Sequence, residues 1–571
     1  MKLAKNFLLI ACVFGLANES VEVQAQEKTV PQILHTFEQG KMNAEQTYLE
    51  MRKVYEDGAI HKCITPLHIF SHKYKSEISE SVLLEQRKID QHRKSAQASF
   101  TSHSGKFVFT YETTGSNAVP SADNNSNGVP DFVEWAATAA DSSYKLLVEI
   151  QGYTDPIPAD STYDISFEDM GFYGFVEPDN SAPSGTIMVI ENDFVGFPDN
   201  DDPDGTQRGA LRVTIAHEFK HAVQFVQNNF NGEADNWAEM DATLMEEVVY
   251  DNVNDYYNYL GGSGDIFGSP GVTVIPGSYE DVTWALYFHE KIGSDFWVNA
   301  WDRIETSNST LDMLDAVEQE LTSRGLDFTE SLLELYTWHF VSGTYNNSTF
   351  GFNESLFYPT PSVQRTETQV TDQFSADINL GRFASYMLNV KPPANETGDV
   401  SVLIDTESAN LSMAVVGLFN DGTVAFEYAE SESGFIVVNE GWKWADIERV
   451  GAIVLNENRT LSQSFKIKVS NTFPTSIPID DEKPVTTEIK QNYPNPFNPS
   501  TTIPVSVSEF QKVEVDIYDI TGRLVQSVFN GNLGTGNYNL PVNLENLASG
   551  VYMYRLKTND KVQIKRMTLL K

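Results

Sequence analysis

The sequence predicts a multidomain protein in which an α+β domain is followed by two all-β sandwich domains. The chain has 571 residues, which is too many for one hydrophobic core. In its first two thirds, strand patterns come first and long helical patterns follow, which is typical of an α+β domain. In the last third, apolar and polar residues alternate between turns, which predicts sandwiches of short strands.

The N-terminal 25 residues have the composition of a signal peptide. Lys2 and Lys5 form a short basic region, residues 7–16 are apolar, and Ala25 is a small residue at the expected cleavage position. The apolar run is too short to span a bilayer, and no other stretch predicts a transmembrane helix. A second interpretation stays open, because residues 9–12 also resemble a lipoprotein cleavage box.

Charge and cysteine content narrow the class of protein. The net charge of −41 argues against nucleic acid as a partner, and it fits either calcium binding or a solvated acidic surface. The two cysteines are Cys12 and Cys63, and cleavage after Ala25 would remove the first. An exported chain with one thiol has no internal disulfide, so its stability must come from packed cores and bound metals.

The remaining chain divides by pattern into four regions. Residues 26–95 are charged and show helical spacing, which predicts a helical pro-region or N-terminal cap. The α+β domain is expected over residues 96–368, with strands before residue 191 and helices after residue 209. The later regions are a β-sandwich over 369–475, a polar linker over 476–486 and a small β domain over 487–571.

A histidine pair with a glutamate between them is the strongest chemical signal. His217 and His221 are four residues apart, so on a helix they share one face and can bind one zinc ion. Glu218 can then lie beside the water on that ion and accept its proton. An apolar stripe supports the helix: Leu211, Ile215, Phe219, Val223 and Val226.

A catalytic zinc ion requires three protein ligands and one open position. Glu239 follows His221 by 18 residues, which is enough for a turn and a second helix to bring it back to the metal. Glu246 lies seven residues further on and on the same helical face. The residues alone leave open whether Glu246 is a ligand or a partner of a ligand.

These motifs resemble the gluzincins, which are zinc peptidases with two histidine ligands and one glutamate ligand. The segments 216–224 and 237–250 in particular resemble a bacterial family of secreted metalloproteases. The resemblance implies a zincin-like catalytic domain over 96–368, with zinc as cofactor. The resemblance implies that His217, His221 and Glu239 are the zinc ligands. It also implies that Glu218 is the general base. Met240 and Asp241 depart from the pattern, because gluzincins commonly have small residues there.

A tyrosine is the expected stabiliser of the oxyanion that forms during peptide hydrolysis. Residues 279–287 resemble the helix that carries such a tyrosine in gluzincin aminopeptidases, which implies this role for Tyr279. His289 is the weaker alternative. An aminopeptidase would also require an acidic group that anchors the substrate amine, and the sequence does not locate one.

Residues 123–134 fit the twelve-residue calcium loop of an EF-hand without a helix before it. Gly128 stands where the loop must turn sharply, and helical sequence follows from Phe132. The alternative is an asparagine-rich turn without an ion. The expected ligands of a structural calcium ion are Asp123, Asn125, Asn127, Val129 through its carbonyl, Asp131 and Glu134.

The last domain reads as a small antiparallel sandwich with two glycine turns. Its segments 492–503, 515–525, 547–554 and 565–571 closely resemble the type A sorting domain of the type IX secretion system. That resemblance implies passage through the outer membrane, contact with the secretion machinery, and release or attachment at the cell surface.

Cys63 has two interpretations. A thiolate from a pro-region can occupy the open zinc position and hold a protease latent, because zinc favours sulfur. The alternative is a buried small hydrophobic residue.

The expected function is hydrolysis of protein or peptide substrates by an exported, zinc-dependent metalloendopeptidase that uses Glu218. The alternative is a non-enzymatic surface adhesion or binding protein with a structural metal. Glu218 distinguishes the two, because a structural zinc site does not need it.

Overall fold

The computed structural model describes 29–56, 60–83, 98–230, 234–262, 264–271, 278–307, 310–371, 373–406, 408, 410–430, 435–438, 441–471, 486–508, 511–533, 536–558 and 561–571. The predicted signal peptide and nearly all of the predicted linker lie outside these residues.

The N-terminal segment, defined here as residues 29–83, includes three complete helices and one short strand among its described residues, with a further helical turn at 80–83. Their bounds are α1 Val30–Glu38, α2 Ala44–Tyr55, β1 His61–Cys63 and α3 Thr65–Lys73. Helix α2 begins with a capping box, in which Asn43 and Gln46 each bond the backbone of the other. Apolar side chains such as Tyr48, Met51 and Phe70 form a small core of their own.

A six-stranded sheet forms the centre of the α+β unit. Its further strands are β2 Ala98–Thr101, β3 Phe107–Tyr111, β4 Tyr163–Glu168, β5 Phe172–Pro178 and β6 Thr186–Glu191. The order across the sheet is β1-β5-β6-β4-β3-β2. Strands β3, β4 and β6 are parallel, whereas β5 runs antiparallel to β6. Strand β1 of the N-terminal segment adds to the sheet beside β5, in parallel register.

Seven α-helices complete this unit in the described residues. Their bounds are α4 Asp131–Tyr144, α5 Thr206–Asn228, α6 Ala234–Tyr250, α7 Val282–Tyr287, α8 Phe296–Thr306, α9 Met313–Ser323 and α10 Phe328–Phe340. Helix α4 continues as π-helix to Gln151, and α7 continues in the same way to Ile292.

The sequence has helical patterns over 238–259 and 310–342, and the structure interrupts both. The helix expected over 238–259 stops at Tyr250, since Asn254 adopts a left-handed conformation, and a separate 3-10 turn covers Asp255–Tyr259. The helical group expected over 310–342 consists of α9 and α10, and Asp327 caps the second of them. Helix α8 and strands β1 and β5 were not predicted.

The close packing of β5 on helix α5 depends on a glycine. A Cβ atom at Gly174 would lie 2.9 Å from Cγ2 of Thr214 and 3.2 Å from Cγ of Glu218. Glycine therefore lets β5 approach the helix that carries the histidine pair. The same glycine interrupts the alternation of β5, which explains why the strand is not evident in the sequence.

The α+β unit shares its core with the sandwich that follows it. Met387 and Ile453 of the sandwich belong to the same buried cluster as the sheet and helices of the α+β unit. Gly451 lies against the ring of Phe340, where a Cβ atom would be 2.6 Å from a ring carbon. The two units therefore pack as neighbours with a continuous apolar interior.

Two β units form the rest of the described chain. The first has sheets β13-β10-β15-β8 and β12-β11-β14-β9-β7, and the second has sheets β16-β17-β20 and β19-β18-β21-β22. The strands of the first are β7 Arg365–Glu367, β8 Ile378–Leu380, β9 Ser385–Val390, β10 Ser401–Thr406, β11 Leu411–Phe419, β12 Val424–Glu430, β13 Phe435–Val438, β14 Ile447–Asn456 and β15 Gln463–Ser470. Those of the second are β16 Glu488–Ile489, β17 Ser500–Val507, β18 Gln511–Tyr518, β19 Leu524–Leu533, β20 Gly536–Asn543, β21 Gly550–Thr558 and β22 Val562–Leu569.

The protein is thus multidomain, with a mixed α/β unit followed by β-sheet units. Among the described residues, no helix has both the length and the apolar character required to cross a membrane.

Candidate metal centre

Helices α5 and α6 bring three predicted residues to one buried point. His217 and His221 are one helical turn apart on α5, and both are at most 1% exposed. Helix α6 packs on α5 and presents Glu239, which is 7% exposed. The Nε2 atoms of the two histidines lie 3.3 Å and 3.1 Å from the Glu239 carboxylate oxygens.

Cys63 supplies a fourth donor from the N-terminal segment. Its Sγ atom lies 3.5 Å from Nε2 of His221, and its side chain is fully enclosed. One donor atom from each of Cys63, His217, His221 and Glu239 lies within 4.8 Å of all the others. This is the one group of its kind that the described part of the chain contains.

Several of the distances between these donors are close to those around a tetrahedral zinc ion. Zinc bonds of about 2.0–2.1 Å to nitrogen or oxygen and about 2.3 Å to sulfur place neighbouring ligand atoms about 3.3–3.6 Å apart. The two Nε2 atoms are 3.2 Å apart, Sγ of Cys63 is 3.5 Å from Nε2 of His221, and the two Nε2 atoms lie 3.3 and 3.1 Å from different oxygens of Glu239. The donor types and number suit zinc, and these distances are near tetrahedral edges, within a group whose donors lie up to 4.8 Å apart.

The orientation of both imidazoles is fixed by hydrogen bonds at Nδ1. Nδ1 of His217 donates to Oε1 of Glu246 at 2.8 Å, and Nδ1 of His221 donates to Oε1 of Gln224 at 2.7 Å. With the ring proton on Nδ1, each Nε2 carries a lone pair directed at the same point. The repulsion between facing lone pairs is relieved by a positive charge there, either a proton on Nε2 of His217, whose pKa is raised, or a metal ion.

Glu246 therefore stands behind a histidine rather than among the four donors. Its Oε1 atom orients His217, as partners of metal-bound histidines commonly do. Gln224 does the same for His221 and is itself held by the carbonyl oxygen of Ala238. Gln224 was not among the predicted site residues. Its position three residues after His221 on the same helix could have indicated this contact.

The local electrostatics favour a positive charge at this point. Burial alone would lower the pKa of His217, but contacts with Glu239 and Glu246 outweigh it and raise that pKa to about 10. Burial alone would raise the pKa of Glu239, yet the contacts with His221 and His217 hold it well below its ordinary value. The carboxylates thus create a field that stabilises a bound cation.

Glu218 lies next to the donors but is not one of them. It is fully buried, and burial raises the pKa of its carboxyl group. Its Oε2 atom accepts a hydrogen bond of 3.2 Å from the Thr65 hydroxyl, which in turn accepts one of 2.8 Å from the amide of Val176. Two neighbouring residues of the N-terminal segment, Cys63 and Thr65, thus contact the metal donors and the predicted base.

Tyr279 begins a short 3-10 turn rather than lying within a helix, and α7 starts three residues later. Its ring packs edge-on against Tyr259 at 5.2 Å. Burial raises the pKa of its hydroxyl, and the charges of Glu280 and Glu239 raise it further. Tyr279 therefore lies within electrostatic reach of Glu239, while its contact with a reacting group stays a prediction.

The predicted calcium loop folds around its own side chains. Asp123 accepts the amides of Asn127 and Gly128 at 3.2 and 2.9 Å. Glu134 accepts the side-chain amides of Asn125 and Asn127 at 2.8 and 2.7 Å. These four side chains are thus joined by hydrogen bonds, and the Val129 amide donates to Oδ1 of Asn127 at 2.9 Å, whereas Asp131 begins helix α4 and accepts the backbone amide of Asn124.

Comparison with known proteins identifies one part of the chain. Residues 491–569 match the family of the secretion system C-terminal sorting domain. The last β unit is therefore a sorting domain of the type IX secretion system, which indicates export and a cell-surface or secreted fate. No curated protein matches the chain by sequence.

Two of the solved structures that match are distant likenesses. The pre-peptidase C-terminal domain of a Bacillus anthracis collagenase is 9% identical over 19% of this chain and 97% of that one, with a TM-score of 0.15. A β-1,2-glucanase from Parabacteroides distasonis is 8% identical over 34% of this chain and 32% of that one, also with a TM-score of 0.15. Scores this low carry no argument about fold or function.

Proposed function

We propose that this protein is an exported, zinc-dependent metallopeptidase with a zincin-like catalytic unit. The observation that carries the proposal is the pair of Nε2 atoms 3.2 Å apart, both facing Glu239, with both Nδ1 atoms already bonded. A structural zinc site would satisfy that geometry too. Glu218 beside it favours hydrolysis, because a buried carboxylate at the metal is costly and unnecessary in a structural site.

The chain's own residues divide the work of hydrolysis. A zinc ion in this site would supply Lewis acidity, lowering the pKa of water and polarising a peptide carbonyl. His217, His221 and Glu239 hold the ion, and Glu246 and Gln224 hold the two imidazoles. Glu218 accepts the proton of the attacking water and can pass it to the leaving amine. The Tyr279 hydroxyl is the group we propose for the oxyanion.

The full chain is latent in this proposal. Cys63 fills the coordination position that water requires, and Thr65 holds the carboxylate that would accept the proton of that water. Burial and the charges of Glu218 and Glu239 raise the pKa of the Cys63 thiol. With zinc held by these residues, the Cys63 sulfur would be a thiolate, because a coordinating thiol loses its proton. Activation therefore requires removal of the N-terminal segment.

Calcium is the proposed second metal, bound by the loop over 123–134. Millimolar Ca²⁺ is expected to raise Tm by a few degrees, since about 1 kcal/mol of binding energy shifts a domain of this size by about 2–4 °C. Asp123→Ala should abolish the shift. Asp421→Ala is the control, because Asp421 also accepts a backbone amide in an exposed turn. A calcium response that survives Asp123→Ala would remove the ion from this loop.

Metal removal tests the peptidase directly. A protease recognition sequence is placed between Leu83 and Ala98, the purified chain is cut there, and the N-terminal fragment is separated from the rest, which is called the cut chain. The cut chain is expected to hydrolyse casein, to lose that activity with a zinc chelator, and to regain it with Zn²⁺. Hydrolysis that persists in the metal-free protein would contradict the proposal. A cut chain that holds zinc and cleaves no protein or peptide offered would favour the alternative, a non-enzymatic surface binding protein.

A further inference from the structure

A second buried cluster adjoins the metal donors and holds an ammonium group. Lys62 precedes Cys63 in strand β1 and is 1% exposed. Its Nζ atom pairs with Oε2 of Glu246 at 2.7 Å and with the carboxylate of Asp255. It also lies over the rings of Tyr173 and Tyr259, at 4.7 and 5.1 Å from their centroids.

The walls of this cluster belong to the catalytic unit, and only its occupant belongs to the N-terminal segment. Tyr173 lies on β5, Glu246 on α6, and Asp255 and Tyr259 on the 3-10 turn that follows α6. The parallel register of β1 with β5 puts Lys62 opposite Tyr173. If the segment leaves, a pocket with two carboxylates and two aromatic faces remains.

The chemistry of this pocket suits a cationic ligand. Two carboxylates that are each about 1% exposed carry a large desolvation cost unless a cation pairs with them. Apart from the Lys62 ammonium, no group in the described residues pairs with Oε2 of Glu246. Tyrosine faces add attraction for a cation but not for a neutral group.

The pocket also lies directly beside the candidate metal donors. One carboxylate links the two sites, because Glu246 binds His217 through Oε1 and the ammonium through Oε2. In strand β1 the residue next to the ammonium is the one that reaches the metal donors. An extended peptide on β5 in place of β1 would therefore have an ammonium close to its scissile bond.

We propose that the pocket formed by Tyr173, Glu246, Asp255 and Tyr259 binds a primary ammonium group of the substrate next to the scissile bond. Lys62 occupies the pocket as a built-in mimic of that group. Two sources share this chemistry: a lysine side chain within a peptide, and the free N-terminus of a peptide. The inference rests on the proposed peptidase function for its substrate, but the pocket itself can be tested without hydrolysis.

Rescue of a cavity in the full chain tests the pocket. Lys62→Ala is expected to lower Tm, and n-propylammonium, which replaces the lost atoms, should restore part of the loss. The neutral 1-propanol should not, and Lys62→Ala with Asp255→Asn should respond less to n-propylammonium. Lys62→Met is the control that keeps the volume of the side chain without its charge, and its Tm should not respond to n-propylammonium. Equal responses to the ammonium and the alcohol would overturn the proposal.

Peptide cleavage by the cut chain separates the two sources. Peptides with lysine or the uncharged norleucine near the cleavage point are compared, each with a free or an acetylated N-terminus. We expect kcat/KM to favour the ammonium at least about tenfold, and Asp255→Asn to reduce that ratio. A preference for lysine assigns the side chain, and a preference for free N-termini assigns the α-amine.

The two proposals fail in different ways. Cleavage without either preference overturns the ammonium pocket and leaves the peptidase standing. Absence of all cleavage contradicts the peptidase, and the rescue by n-propylammonium then decides whether the pocket binds ammonium groups.

Discussion

Glu218→Gln is expected to reduce kcat/KM of the cut chain for a peptide substrate by about 10²–10⁴, with no loss of bound zinc. Glutamine keeps the size of the side chain and can still accept a hydrogen bond from Thr65, but it cannot accept the proton of water. Glu218 is not among the four donors, so the metal site should persist. The measurement pairs steady-state kinetics with metal analysis of the same samples.

Glu247→Gln is the matched control for that experiment. Burial, with further contributions from Glu354 and Asp251, raises the pKa of Glu247 to about 9. Glutamine therefore resembles the protonated state that this side chain already has near neutral pH. Equal activity of Glu218→Gln and Glu247→Gln, at equal zinc content, would exclude Glu218 as the base.

Cys63→Ser is expected to raise the activity of the uncut chain by at least about tenfold, because serine is a poor zinc ligand and opens the fourth position to water. Activity should remain below that of the cut chain, since Lys62 and Thr65 still hold the segment in the cleft. Small fluorogenic peptides are the suitable substrates for this comparison.

Ser71→Ala is the control within the same segment. The Ser71 hydroxyl donates to the carbonyl oxygen of His68 in its own helix. It should leave the uncut chain latent. If Cys63→Ser has the latent activity and the zinc content of the unchanged chain, Cys63 is not the inhibitory ligand.

The local part of the metal centre could be predicted from the sequence because it depends on one helix. The four-residue spacing of His217 and His221 defines a shared face wherever α5 lies in the fold. Glu239 required one more assumption, that a second helix returns to the first. These three side chains lie on two consecutive helices, so bringing them together does not depend on contacts between distant parts of the chain.

The parts contributed by strand pairing could not be predicted in the same way. Cys63 is 158 residues from His221 in the chain, and its position depends on β1 joining the edge of the sheet. The sequence suggested that this thiol could bind zinc, but it did not show where the thiol lies in the fold. The walls of the ammonium pocket lie on β5, α6 and a 3-10 turn, and its occupant lies on β1. No local sequence pattern therefore predicts it.

The most direct test of the account is zinc X-ray absorption on the full, uncut chain, combined with metal stoichiometry. The account predicts one zinc ion per chain, with one sulfur at about 2.3 Å and three nitrogen or oxygen ligands at about 2.0–2.1 Å. Cutting between Leu83 and Ala98 should replace the sulfur by a light atom. A chain that binds no zinc when zinc is supplied, or that binds it without sulfur, would contradict the account.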